Sequence, residues 1–136
     1  MANTTFSGPV RSENGFEQVT KNTSTGAFTT NATYNATITG GVQALSGAGA
    51  ADLVNLVTEL TTGAGAAAVT LADGSTSGQV KIINHIVDGG GTATVTPTTF
   101  ANGTTIAFDA VGESVTLVWN STVGWVATSV NGATIA

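Results

Sequence analysis

The chain has 136 residues, a length typical of a single domain. Only 8% of its residues are charged, against roughly a quarter in ordinary soluble proteins, which excludes a coiled coil. Three Lys and Arg against eight Asp and Glu give a net charge of −5, so the basic surface needed to bind nucleic acid is missing and we expect no nucleic-acid partner.

The chain contains no cysteine, which excludes disulfides, iron–sulfur clusters and thiolate zinc sites. The first residues lack the basic segment and apolar run of a secretory signal. No uncharged stretch approaches the ~18 apolar residues of a membrane span. We therefore expect a protein made in a cytoplasm, with no membrane partner.

Residues 1–35 differ from the rest of the chain. They are polar and lack a sustained hydrophobic period, yet they carry half of the eight aromatic residues. Such rings are unusual in a disordered tail. One interpretation is that they pack on the domain's own sheet; the other is an extended N-terminal arm that anchors in pockets of a neighbouring subunit or partner. The candidate anchors are Phe6, Val10, Arg11, Phe16, Phe28 and Tyr34.

Residues 36–136 have the pattern of short strands separated by Gly and Asp-Gly turns, rich in Val and Thr. The predicted strands cover residues 36–39, 42–45, 52–60, 67–71, 79–87, 92–96, 104–109, 115–120 and 124–130. Residues 52–60 also fit one face of a helix, but their abrupt end and the β context favour a strand. A strand about every ten residues predicts an all-β fold, a single antiparallel β-sandwich or jelly-roll-like domain.

Two hairpins are predicted from local turn signals. Residues 88–91, Asp-Gly-Gly-Gly, favour a turn that pairs 79–87 with 92–96. The turn at 121–123 pairs 115–120 with 124–130 and brings Trp119 near Trp125. The near-continuous apolar run of 79–87 indicates a strand covered on both faces. No fixed-period repeat is present, so a solenoid is not expected.

The residues that could support catalysis are few. His85 is the only histidine, and its alternation with Ile83 and Val87 favours a packing role over acid–base chemistry. No G-x-S-x-G motif is present, and the Gly-rich runs lack the residues of a phosphate-binding loop. We therefore predict no catalytic residue and no cofactor, and the chain is not expected to be an enzyme.

Acidic residues lie at or beside predicted turns, where carboxylates and carbonyls could together bind calcium. Turn formation is the favoured explanation for these acids, and no metal site is predicted. These residues are Asp73, Asp88, Asp109 and Glu113.

Several segments resemble the small virion structural proteins of marine tailed phages, including those of cyanobacteria. The opening, residues 1–16, reads MANTTFSGPVRSENGF. Further similarity lies in 63–91, with AVTLADG and GQVK, in 108–118, FDAVGESVTLV, and in the ending NGATIA. The likeness covers most of the chain.

The resemblance implies a capsid decoration, or cement, protein on the outer surface of a phage head. Its partners would be the major capsid protein and copies of itself, as a homotrimer, and no catalytic residue is implied. The alternative is a tail-fibre, spike or adhesin β-module that binds a host surface ligand, with Trp119 and Trp125 stacking on sugars. A third alternative is a small hydrolase or lectin with an unrecognised site.

Overall fold

The computed structural model describes residues 16–21, 24–34 and 41–136, and every regular element within those ranges is a β-strand. The chain divides into two units, residues 1–36 and 37–136. In the first unit, strands β1 (Phe16–Lys21) and β2 (Phe28–Tyr34) pair antiparallel, with Phe16 opposite Tyr34. The extended arm stays a prediction, and the predicted strand at 36–39 lies outside the described residues.

The second unit, whose described residues 41–136 we call the body, contains ten strands in two five-stranded sheets. They are β3 (Val42–Ser46), β4 (Gly49–Ala51), β5 (Val57–Thr61), β6 (Ala67–Leu71), β7 (Val80–Val87), β8 (Ala93–Pro97), β9 (Ile106–Phe108), β10 (Ser114–Asn120), β11 (Gly124–Asn131) and β12 (Thr134–Ile135). The first sheet has the order β11-β10-β7-β5-β3, and the second has the order β12-β9-β8-β6-β4. The all-β prediction is confirmed.

Strands β3 to β8 alternate between the sheets, so the chain winds through three coils of two strands each. Neighbouring coils pair in parallel, β3 with β5 and β7 in one sheet and β4 with β6 and β8 in the other. The prediction of antiparallel pairing throughout is therefore wrong for the pairings among these six strands, and the jelly-roll-like arrangement is not confirmed.

The coils stack as in a solenoid, contrary to the expectation from the sequence. Val57 lies opposite Val42, fifteen positions earlier, and opposite Ile82, twenty-five positions later. Because successive coils differ in length, the stacking leaves no fixed period in the sequence.

Two predictions about individual strands are also wrong. Strands β7 and β8 belong to different sheets, so residues 88–91 cross between sheets and do not close a hairpin. Of residues 52–60, only those from Val57 onward are extended; Asp52 begins a turn in which its carboxylate accepts hydrogen bonds from the backbone of Val54 and Asn55, at 3.0 and 2.7 Å.

The C-terminal strands are antiparallel, as predicted. Strand β10 pairs with β7 on one side and with β11 on the other, and Trp119 lies directly opposite Trp125. In the second sheet, β9 pairs with β8 and β12.

Inward side chains from both sheets form one apolar core, which is where the alternating Val, Leu and Ile of the strands point. Its buried members are Ala51, Leu60, Ala67, Val69, Leu71, Ile83, Ala93, Val95, Ile106, Phe108, Val115, Leu117, Trp119 and Trp125. Four polar residues are buried on the same side of the strands or just beyond them: Thr58, Thr62, Lys81 and His85.

Candidate functional site

The buried histidine is held at every polar atom. The Nδ1 atom of His85 lies 3.0 Å from the carbonyl oxygen of Ala110, and Nε2 lies 3.2 Å from the hydroxyl of Thr62. The backbone of the same residue bonds to Glu113 and Gly112 at 2.9 Å. Only 1% of the residue is exposed, so its ring fastens the 110–113 turn to the sheet and has no open side toward a substrate. Val87, which the sequence placed on the same face, points to solvent instead.

A second polar cluster surrounds the buried amine of Lys81, which sequence reasoning did not predict to point inward. Its Nζ donates to the backbone carbonyl of Asn55 at 2.8 Å and lies 4.0 Å from Oδ1 of Asp52. The Asp52 carboxylate also accepts a bond from the Asn55 side-chain amide at 2.8 Å. Burial lowers the pKa of Lys81, although Asp52 opposes the shift. The backbone N–H of Asn55 lowers the pKa of Asp52 most.

The side chain of Gln43 closes the first coil beside this cluster. Its oxygen accepts bonds from the Asp52 backbone at 2.9 Å and from the Thr58 hydroxyl at 2.8 Å, and its nitrogen donates to Ala50 at 2.8 Å. Throughout the described part of the chain, no buried side-chain nitrogen or oxygen lacks a hydrogen-bond partner. The interior polar groups are therefore committed to holding turns and coils together.

The turn carboxylates are bound to groups close to them in the fold. Glu113 accepts from the backbone of Asp109 at 2.6 Å, Asp88 accepts from Gly90 at 2.7 Å, and Asp73 accepts from the Thr99 hydroxyl at 3.1 Å. Within residues 16–21, 24–34 and 41–136, no three His, Asp or Glu side chains come close enough to hold a metal ion.

The two tryptophans lie in the core. Trp125 is fully buried and Trp119 is 8% exposed, so their faces do not form an open platform on which a sugar could stack. This removes the specific observation that favoured a glycan-binding tip.

The outer side of the first sheet carries a contiguous apolar stripe, which we call the valine face. The register places Val42, Val57 and Ile82 side by side across β3, β5 and β7. Two residues along the strands, Val80 lies opposite Val118, which in turn lies opposite Val126. The valine face comprises Val42, Val57, Val80, Ile82, Val118 and Val126.

The valine face corrects the prediction that residues 79–87 are covered on both faces. Lys81, Ile83 and His85 point inward, but Val80 is 39% exposed and Ile86 is 42% exposed. The apolar run was the available signal for this surface, and it was interpreted as burial. The outer side of β5 contributes one charged side chain beside the stripe, Glu59.

Strand β3 forms one edge of the first sheet. The residues on either side of β3 point their backbone groups toward β5. The Gly41 carbonyl accepts a hydrogen bond from the Val57 N–H at 3.3 Å, and the Gly47 N–H donates to the Thr61 carbonyl at 2.9 Å. Since the direction alternates along a strand, the backbone groups of residues 42, 44 and 46 point away from β5. The sequence of β3, VQALS, contains neither the charged residue nor the Pro that usually protects an edge strand from pairing with another chain.

The predicted arm anchors lie outside the body. Phe6, Val10 and Arg11 fall outside the described residues. Phe16 and Tyr34 occupy opposed positions in the β1–β2 pair, and Phe28 lies opposite Lys21. The structure does not bring the six residues into one described site.

In the described ranges, no helix is long and apolar enough to cross a membrane. Comparisons with the models of known protein families and with curated proteins find no match.

Proposed function

We propose that this chain is a capsid decoration protein that binds the outer surface of a phage head and clamps neighbouring capsomers. The observation that carries the proposal is the valine face. The inner side of this sheet already packs in the core, so apolar side chains on its outer side are suited to contact with a partner.

The partner we infer is the major capsid protein, with further contacts between copies of this chain in a homotrimer. An uncharged edge such as β3 can accept an added strand, so main-chain hydrogen bonds supply affinity while apolar side chains supply fit. Six of the seven charged residues in the body are acidic and the seventh, Lys81, is buried. This composition favours recognition by shape and strand pairing over recognition by charge.

Clamping follows from thermodynamic linkage between binding of this chain and contact between capsomers. A protein that spans two capsomers adds binding free energy that is lost only when the capsomers separate. Three linked copies raise the total affinity by about 10²–10⁴ when all engage at once. Closed three-fold symmetry also prevents open-ended assembly of the copies. Weak individual contacts are then sufficient.

Co-sedimentation of the purified chain with empty shells of its major capsid protein tests the proposal. Replacing Val80 with Lys places a charge in the valine face and is expected to weaken binding at least tenfold, which is about 1.4 kcal/mol. The matched control is Thr70→Lys, on the outer side of the second sheet, which should bind like the parent. If the parent and Val80→Lys are both folded and bind the shells equally, the valine face does not contact the capsid.

A further inference from the structure

The amine of Lys81 on β7 and the side-chain amide of Asn55 in the turn before β5 lie at the same end of the first sheet. Asn55 precedes β5 by two residues, and Val57 of β5 pairs with Ile82 of β7. The Lys81 amine touches the Asn55 backbone at 2.8 Å, and 1% of the Lys81 side chain is exposed.

One carboxylate adjoins both groups. Oδ2 of Asp52 accepts the Asn55 amide N–H at 2.8 Å, while Oδ1 lies 4.0 Å from the Lys81 amine. A buried amine, a neutral primary amide and a carboxylate that contacts the amide and adjoins the amine are the components of an amide exchange. From this juxtaposition we propose that Lys81 and Asn55 join in an intramolecular isopeptide bond, with Asp52 carrying the proton.

The reaction balances without an added reactant. The Lys81 ammonium gives a proton to Asp52, and the freed lone pair forms a bond to Cγ of Asn55 after the side chain turns toward it. Asp52 then protonates Nδ2, the Cγ–Nδ2 bond breaks, and ammonia leaves. The released ammonia takes the second proton from the Lys81 nitrogen and departs as ammonium, so the product is a secondary amide and the Asp52 carboxylate is restored.

Two features of the surroundings favour the reaction. Burial lowers the pKa of Lys81, which makes the unprotonated amine accessible. Gly41 makes room for the Asn55 side chain, because a Cβ at that position would overlap Oδ1 of Asn55.

The link would fasten the turn before β5 to β7 and so lock two coils together at the end where Gln43 closes the first coil. Such a link resists separation of the coils whatever the chain binds. This inference therefore does not depend on the decoration function.

The test is trypsin digestion of the denatured full-length protein followed by mass spectrometry. The chain offers three cleavage sites, Arg11, Lys21 and Lys81. An amide on the Lys81 amine blocks cleavage there, so we expect a fragment spanning residues 22–136 that is lighter by one ammonia. Cleavage at Lys21 provides the internal control.

Two variants test whether Asn55 is the residue bonded to Lys81. Asn55→Ala should restore cleavage after Lys81 and the full sequence mass, whereas Asn84→Ala, on the outer side of β7, should leave both unchanged. Fragments 22–81 and 82–136 from the parent protein would overturn the proposal, and so would loss of water in place of ammonia, which would assign the bond to Asp52. Ammonia lost with cleavage intact would indicate a cyclised Asn elsewhere and would equally overturn it.

Discussion

Trp119 and Trp125 lie directly opposite each other on β10 and β11, with ring centroids 5.4 Å apart and planes inclined by 63°. The arrangement is edge-to-face, the geometry that aromatic quadrupoles favour. Trp125 also donates its indole N–H to the carbonyl of Ala72 at 2.9 Å, and its backbone bonds to Thr99 and Ala101. This one residue therefore ties the edge strand of the first sheet to loops that follow two strands of the second.

The tryptophans should differ in their contribution to stability. Trp125→Phe removes the bond to Ala72 and leaves a carbonyl without its partner, a loss of about 1–3 kcal/mol beyond the change in packing. Trp119→Phe changes packing alone and provides the comparison. Urea unfolding followed by far-UV circular dichroism measures both. Equal losses in the two variants would show that the Ala72 bond contributes nothing.

The crossing between β7 and β8 requires glycine at a defined position. A Cβ on Gly89 would lie 2.5 Å from the carbonyl oxygen of Thr62 and 2.7 Å from the Cα of Gly63. Gly89→Ala is therefore expected to lower the free energy of unfolding by about 1–3 kcal/mol through overpacking. Gly63→Ala, whose methyl group would enter open space, should cost less than the Gly89 substitution. Thermal melts of the two variants would contradict this account if they coincided.

Acid should weaken the turn that Asp52 forms. The pKa of Asp52 in the folded chain lies below the usual 3.8. As the pH falls, the Asp52 carboxylate is therefore protonated in the unfolded chain before it is protonated in the folded chain. The stabilisation of the fold by the ionised Asp52 carboxylate is present above pH 3.8 and is lost as the pH falls below that value. The parent should be more stable than Asp52→Asn near neutral pH, and the difference in unfolding free energy should narrow on acidification. A difference that stays constant below pH 3.8 would contradict a role for the ionised carboxylate.

The N-terminal unit is predicted to be needed for assembly. Deleting residues 1–36 removes all six candidate anchors and leaves the body with its own core. We expect the truncated chain to fold but to lose capsid binding or trimerisation, since the multivalent contacts are lost together. Analytical ultracentrifugation and shell binding measure the two effects. A truncated chain that decorates shells like the parent would show that the arm is dispensable.

Local pairing could be predicted from the sequence, and non-local pairing could not. The β10–β11 hairpin follows from the alternation of its own residues and a short turn. The parallel pairs β5–β7 and β6–β8 join segments more than twenty residues apart and have no local signal. Residues 88–91 resemble a hairpin turn because glycine permits both a turn and the close passage of backbone past Thr62 and Gly63.

Only part of the candidate site could be predicted from the sequence. The apolar run of 79–87 marked the valine face, but periodicity cannot distinguish a face buried in the core from one left for a partner. Lys81 was not expected inside, because lysine is rarely buried without a partner. The Asp52–Asn55 turn lies beside Lys81 because of the parallel register of β5 and β7, which has no local signal in the sequence.

Electron microscopy of intact virions tests the central claim, that this chain acts by binding a capsid surface. We predict density for the body at hundreds of positions on the outer shell, with the valine face against the capsid protein. Virions with none of it outside, or with only a few copies at a fibre or spike, would contradict the account.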